Sequence, residues 1–230
     1  SGKAVTLTNI EANNNQVYGA NIQAVDNVTV TNGFFSGNQV YTYKCQGKTV
    51  TGGYGLQVVT NGNIALVGVT ASDNYFFGAT LDGAAVDVYN SSFNDNGADK
   101  SNVGKGLEVS SDSYATLIGG TANENGIAGA NVNAMGDVTV YTSFFSGNKS
   151  YTYSCKTSYH GYGLQVVTGG NIYVSEVTAN DNNLFGAHLE GADVLEQIRA
   201  ELEAEAEGAG GERHVVLGGL GVAVAPHRLH

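Results

Sequence analysis

Tryptophan is absent from this chain of 230 residues, proline occurs once, and only ten residues are basic against 21 acidic ones. Each shortage excludes something. A formal net charge of −11 argues against nucleic acid as a partner, because phosphate contacts need clustered Lys or Arg. No apolar run approaches the roughly 18 residues of a membrane-spanning helix, so helical insertion is not expected. The start, SGKAVTLTN, lacks the basic-then-apolar pattern of a secretory leader, and reads as a mature or excised segment. With so little proline, the turns must come from elsewhere. Gly, at 33 residues, together with abundant Asn, Thr and Val, favours strands and tight turns over helices. An all-β body follows.

Self-similarity gives that body its organisation. Seven segments align, beginning at Val5, Val28, Ile64, Val86, Ala115, Val138 and Ile172, and the third residue of each is also apolar. That period of two marks a strand with one buried face. The eleventh residue is always Asn: Asn15, Asn38, Asn74, Asn96, Asn125, Asn148 and Asn182. A Gly follows after a variable gap, at Gly19, Gly55, Gly78, Gly106, Gly129, Gly163 and Gly186, and opens a second short strand. Two strands per repeat, with no helical pattern between them, describe the coils of a solenoid. Stacked at about 4.8 Å, the Asn amides can bond one another along the axis. The Gly column marks a bend where positive φ or close packing excludes a Cβ.

Side-chain volumes support this register independently. The residue after the Gly alternates through Ala20, Leu56, Ala79, Leu107, Ala130, Leu164 and Ala187. In step with it, the eighth position alternates through Ala12, Phe35, Ala71, Phe93, Ala122, Phe145 and Ala179. Two residues earlier, Ile10, Val69 and Val177 accompany Ala, while Gly33, Ser91 and Ser143 accompany Phe. Each layer thus keeps nearly constant volume, as close packing demands. The fifth repeat breaks the rule: Gly120 sits with Ala122, and Ala128 stands where Tyr18, Phe77 and Phe185 stand elsewhere. A cavity or a local shift is expected there.

Segments such as GYGLQVVTNGNIALVGVTASDN and GANIQAVDNVTVTNGFFSGN resemble the parallel β-helix repeats of the pectate-lyase-like superfamily, over roughly residues 5 to 193. The resemblance implies a right-handed parallel β-helix of about seven coils. It does not imply one function, since such folds host lyases, hydrolases, adhesins and inert stalks. Lyases of that superfamily are expected to use a basic proton abstractor beside a calcium-binding carboxylate cluster, or hydrolases a cluster of Asp. Here all three Arg (Arg199, Arg213 and Arg228) lie beyond the repeats. Most Asp fall at turns, where Asp usually bonds its own backbone. Asp73 and Asp95 can stack in adjacent coils but make only a thin acid pair. His160 and His188 read as surface residues without partners. No catalytic residue, metal or cofactor is assigned.

Two excursions concentrate tyrosine, and loops on a rigid scaffold often carry binding. Residues 39–54 and 149–162 share a Y-T-Y-x-C core and hold Tyr41, Tyr43, Tyr54, Tyr151, Tyr153, Tyr159 and Tyr162. Exposed Tyr can stack on a glycan or anchor another surface ligand; the alternative is a small hairpin whose rings pack against the flank. Cys45 and Cys155 hold equivalent places four coils apart. That is about 19 Å along the axis, too far for a disulfide. An ice-binding face is disfavoured, because the pairs Thr6 with Thr8 and Thr29 with Thr31 give way to Ala65 with Val67.

After Asp193 no Asn, Thr, Ser or Tyr occurs. The run DVLEQIRAELEAEAEGAGG predicts a helix capped by Asp193 and Glu196 and ended by Gly208. RHVVLGGLGVAVAPH predicts one or two strands broken at Gly218 and Gly219. The chain therefore divides into β-helix repeats over 1–193 and a small α+β cap over 194–230, which reads as a foreign or designed lid on a truncated repeat protein. The leading functional expectation is a structural, non-enzymatic scaffold from an extracellular or cell-surface protein. A carbohydrate- or surface-binding module and a polysaccharide lyase or hydrolase are the alternatives. Self-association through an uncapped N-terminal end is also expected.

Overall fold

The structure is a computed structural model. It describes residues 3–39, 43–45, 48–50, 53–97, 104–149, 161–194, 214–217 and 220–224. The expected helix lies outside the described residues, as do Arg199, Arg213, Arg228, Cys155 and His160. In chain order the strands are β1 (Val5–Thr8), β2 (Tyr18–Ala24), β3 (Val28–Thr31), β4 (Tyr43–Cys45), β5 (Lys48–Val50) and β6 (Tyr54–Thr60). Next come β7 (Ile64–Val67), β8 (Ala79–Gly83), β9 (Val86–Tyr89), β10 (Lys105–Ser111), β11 (Ala115–Ile118) and β12 (Ala128–Ala134). The last are β13 (Val138–Tyr141), β14 (Tyr162–Thr168), β15 (Ile172–Ser175), β16 (Phe185–Glu190), β17 (His214–Leu217) and β18 (Leu220–Val224).

Each repeat contributes one strand to each of two sheets. The first sheet has seven parallel strands in the order β1-β3-β7-β9-β11-β13-β15. The second runs β2-β6-β8-β10-β12-β14-β16 and continues into β18 and β17. β18 joins β16 in parallel, and β17 pairs with β18 antiparallel. Pairing in the first sheet is in register: Val5, Val28, Ile64, Val86, Ala115, Val138 and Ile172 are successive partners. A third line of single parallel bridges runs through Glu11, Phe34, Thr70, Ser92, Thr121, Phe144 and Thr178. The fold among the described residues is all-β, layered, with the alternate side chains of both sheets meeting inside.

Two columns of left-handed residues turn the chain between these lines. The first follows the short strands: Asn9, Asn32, Gly68, Asn90, Gly119, Thr142 and Glu176. The second precedes each column Asn: Asn14, Gly37, Asp73, Asp95, Glu124, Gly147 and Asp181. Asn, Asp and Gly tolerate this conformation best, so the turn chemistry that replaces proline is local to these positions.

The Asn column forms an unbroken chain of hydrogen bonds. The Oδ1 of Asn38 accepts both the backbone N–H and the side-chain Nδ2 of Asn15, at 2.9 and 3.1 Å. The same double bond repeats from Asn38 to Asn74, Asn74 to Asn96, Asn96 to Asn125, Asn125 to Asn148 and Asn148 to Asn182. Asn38, Asn74, Asn96 and Asn125 are fully buried, so these bonds satisfy groups that water does not reach. The Gly column serves this ladder by close approach rather than by φ, since none of its seven glycines is left-handed. A Cβ on Gly78 would lie 2.5 Å from the carbonyl oxygens of Ala71 and Gly106 and 2.7 Å from Asn96 Nδ2.

Inside, the paired volumes interlock. Phe35, Phe93 and Phe145 are buried, as are Leu56, Leu107 and Leu164, each between Ala neighbours in the adjoining strands. Ser91 and Ser143, the small partners of Phe, also satisfy backbone. Ser143 Oγ accepts the Gly120 N–H at 3.1 Å and donates to the Tyr141 carbonyl at 2.9 Å. At the fifth layer a cavity of about 10 Å³ opens between Gly120, Ala122, Phe93, Phe145, Leu107 and Leu117. It is the size of about one water-sized sphere.

Candidate functional site

In a strand whose alternate residues enter the core, the others must face out. Leu56, Val58 and Thr60 of β6 are buried, which turns Gln57 and Val59 outward; the same alternation turns Thr80 and Asp82 of β8, and Glu108 and Ser110 of β10, to the outer face. Parallel register then lines them up. One row across the three strands is Gln57, Thr80, Glu108; the next is Val59, Asp82, Ser110. A third row stands at the strand entrances, where the chain comes in beside the Gly column: Tyr54, Phe77, Lys105.

All of these residues but Lys105 line an open pocket of about 290 Å³. Tyr54 and Phe77 form an aromatic wall, with ring centroids 5.4 Å apart and planes at 47°. Tyr18 of the neighbouring layer stacks on Tyr54 at 5.1 Å and 20°, and Phe76 packs 6.0 Å from Tyr54. Burial pushes the Tyr54 hydroxyl above its ordinary pKa, with the nearby Tyr18 and Glu108 adding to the shift. On the far side Lys105 Nζ lies 5.8 Å from the Phe77 centroid and 2.6 Å from Glu108 Oε1. Thr80 Oγ1 is buried on this face and has no hydrogen-bond partner.

A second grid of the same design lies four layers on. Tyr162, Gln165 and Val167 of β14 repeat Tyr54, Gln57 and Val59, while Phe185, His188 and Glu190 of β16 repeat Phe77, Thr80 and Asp82. Within these two strands the change of kind is His188 for Thr80; the third strand differs as well, since β18 sets Ala223 opposite His188 where β10 sets Glu108 opposite Thr80. The His188 ring lies near-parallel to Tyr162 and Phe185, at 5.8 and 6.2 Å, and its Nδ1 is 3.5 Å from Gln165 Nε2. His188 faces outward, as a surface residue does, but it is not without partners: an aromatic column receives it.

Of the seven tyrosines singled out in the excursions, Tyr54 and Tyr162 belong to these grids. The side chain of Tyr43, on β4, and the whole of Tyr41, Tyr151, Tyr153 and Tyr159 lie outside the described residues, as does the Cys45 side chain. Asp73 and Asp95 sit at left-handed corners with φ of 58° and 57°, a backbone role, and are not part of the grid. Gln57, Phe77, Asp82 and Glu108 were not picked out as site residues from sequence. Their signal is positional: each lies two to four residues after, or one before, a column Gly. Among the described residues no three or more His, Cys, Asp or Glu side chains gather as a metal site would require. Comparison with family profiles, with curated proteins and with solved structures finds no match.

Proposed function

We propose that the chain is a parallel β-solenoid, wound in the right-handed sense its sequence suggests, and that it works as a non-enzymatic scaffold of an extracellular or cell-surface protein. The observation that carries this reading is the Asn ladder, unbroken through all seven repeats. Such a ladder makes each layer dependent on the next and yields a stiff rod, about 4.8 Å per layer. Chain excursions then leave it at one corner, between column Asn and column Gly, at fixed spacing. In this reading the segment from 194 to 230 closes the second sheet's edge, through β18 on β16.

A scaffold should tolerate exchange of what it presents. In sequence, residues 98–103 fall between the column Asn and the column Gly of the fourth repeat, as 150–160 do in the sixth, so replacing 150–160 by a copy of 98–103 tests the reading. The expected result is an unfolding midpoint unchanged within about 2 °C, as for loops that contribute little to a core. Loss of cooperative unfolding would contradict it.

A second reading, a carbohydrate-binding module, is favoured by the pocket under Tyr54 and Phe77. Pockets of about 300 Å³ and above are the usual size for small-ligand recognition, and this one combines ring faces with amide, hydroxyl and carboxylate groups.

A further inference from the structure

We infer that the pocket on β6, β8 and β10 takes a sugar unit bearing a free amino group, its ring on Tyr54 and Phe77 and its ammonium at Asp82. The inference rests on the carbohydrate-binding reading and narrows it to a ligand class. Three observations carry it.

The first is charge. Among the nine residues of the three rows, Asp82 and Glu108 are acidic and Lys105 alone is basic, and Lys105 is already held by Glu108 at 2.6 Å. A uronate would therefore meet net negative charge, whereas an ammonium would meet the exposed carboxylate of Asp82.

The second is the protein's own demonstration of what the wall accepts. The Lys105 ammonium rests between the Phe77 ring and the Glu108 carboxylate, the pairing of ring face and anion that favours organic cations. The third is the shape of the remaining wall. Tyr54 and Phe77 pack tilted against each other, with Tyr18 stacked behind Tyr54, and so present to the pocket an apolar aromatic edge rather than a closed cage, against which the apolar face of a pyranose can pack. Beside them Gln57, Ser110 and the unpartnered Thr80 hydroxyl offer donors and acceptors for ring hydroxyls.

The second grid supplies a natural control. His188 occupies there the place of Thr80 and fills the aromatic column itself, so Thr80→His should close the first pocket without disturbing the strand. The test is calorimetric titration of the full chain with a β-1,4-linked glucosamine tetramer, its N-acetylated counterpart and a tetragalacturonate, at about pH 6, where an amine is protonated. The glucosamine tetramer should bind, weakened about tenfold by Asp82→Asn, as expected for loss of a charge-assisted contact. Thr80→His should abolish binding, and Lys105→Met should tighten it by freeing Glu108 and Phe77. Unchanged melting of Asp82→Asn and of Thr80→His shows that these losses are not unfolding. Equal binding of the N-acetylated tetramer, indifferent to Asp82→Asn, would overturn the amino-sugar assignment and leave the carbohydrate reading standing. Preference for tetragalacturonate would overturn the assignment outright, and binding of none of the three would overturn both.

Discussion

The third and fifth layers begin from the same choice and end differently. Both place Ala in the eighth position, Ala71 in one and Ala122 in the other, and both lie between layers that place Phe there. The third layer compensates with Val69, fully buried. The fifth has Gly120 in that place, and there the 10 Å³ cavity opens. Backbone ladders run through both without a break. The fold's regularity therefore resides in its hydrogen-bonded columns, and side-chain volume adjusts within them layer by layer.

The largest effect should come from cutting what the two layers share. Asn74→Ala and Asn125→Ala each remove an Oδ1 that accepts two bonds, leaving the backbone N–H of the preceding column Asn without its acceptor and costing its Nδ2 a bond. Buried unsatisfied groups cost about 1–3 kcal/mol each, so each variant should lose about 3 kcal/mol in urea unfolding. Near-equal losses in the two layers are the outcome to look for; a large difference would mean that the ladder depends on layer packing.

Making the third layer resemble the fifth comes next. Val69→Ala removes fully buried methyl groups and should cost about 2 kcal/mol, near the lower end of large-to-small substitutions. If it costs nothing, the volume alternation is not what fills the core.

A smaller contrast concerns the strand entrances, aromatic at Tyr54 and empty of rings at Ala128. The folded-state pKa of Tyr54 is raised, so the folded chain holds this proton more tightly than the unfolded one. That contribution is complete below about pH 10, the ordinary tyrosine value, and is lost as pH rises through the folded pKa. Thermal melts of the parent above pH 10 should therefore fall more steeply than those of Tyr54→Phe. Parallel curves would contradict the shift.

Much of this was legible in the residues because a stacked fold converts sequence alignment directly into spatial register. The starts of the seven short strands, from Val5 to Ile172, are one another's partners, and the Asn column is a column in space. The deficit at Gly120 and Ala122 was also legible, since volume is written in residue type, whereas Ala128 does not line the cavity. The left-handed corners were not. Their Asn, Asp and Gly signal is blurred by Thr142, Glu124 and Glu176, which adopt φ of 47°, 55° and 54° despite a Cβ. Nor was the grid legible, because outward residues such as Gln57 and Asp82 carry no burial signal. The tyrosine-rich excursions drew attention to residues that mostly lie outside the described residues, while Phe77 passed as one member of a core-flanking column.

The most direct test of layered compensation is equilibrium unfolding of Gly120→Ala. A Cβ at this position would sit 3.7 Å from the Ser91 carbonyl oxygen and 3.8 Å from Ser143 Oγ, ordinary contact distances, and Gly120 is not among the left-handed glycines. The substitution keeps the N–H bond to Ser143 while adding volume beside the cavity. Stabilisation by about 0.5–1 kcal/mol, with an unchanged urea dependence, is the predicted result. Destabilisation would mean that the fifth layer is already full and that the columns alone do not set the register of the fold.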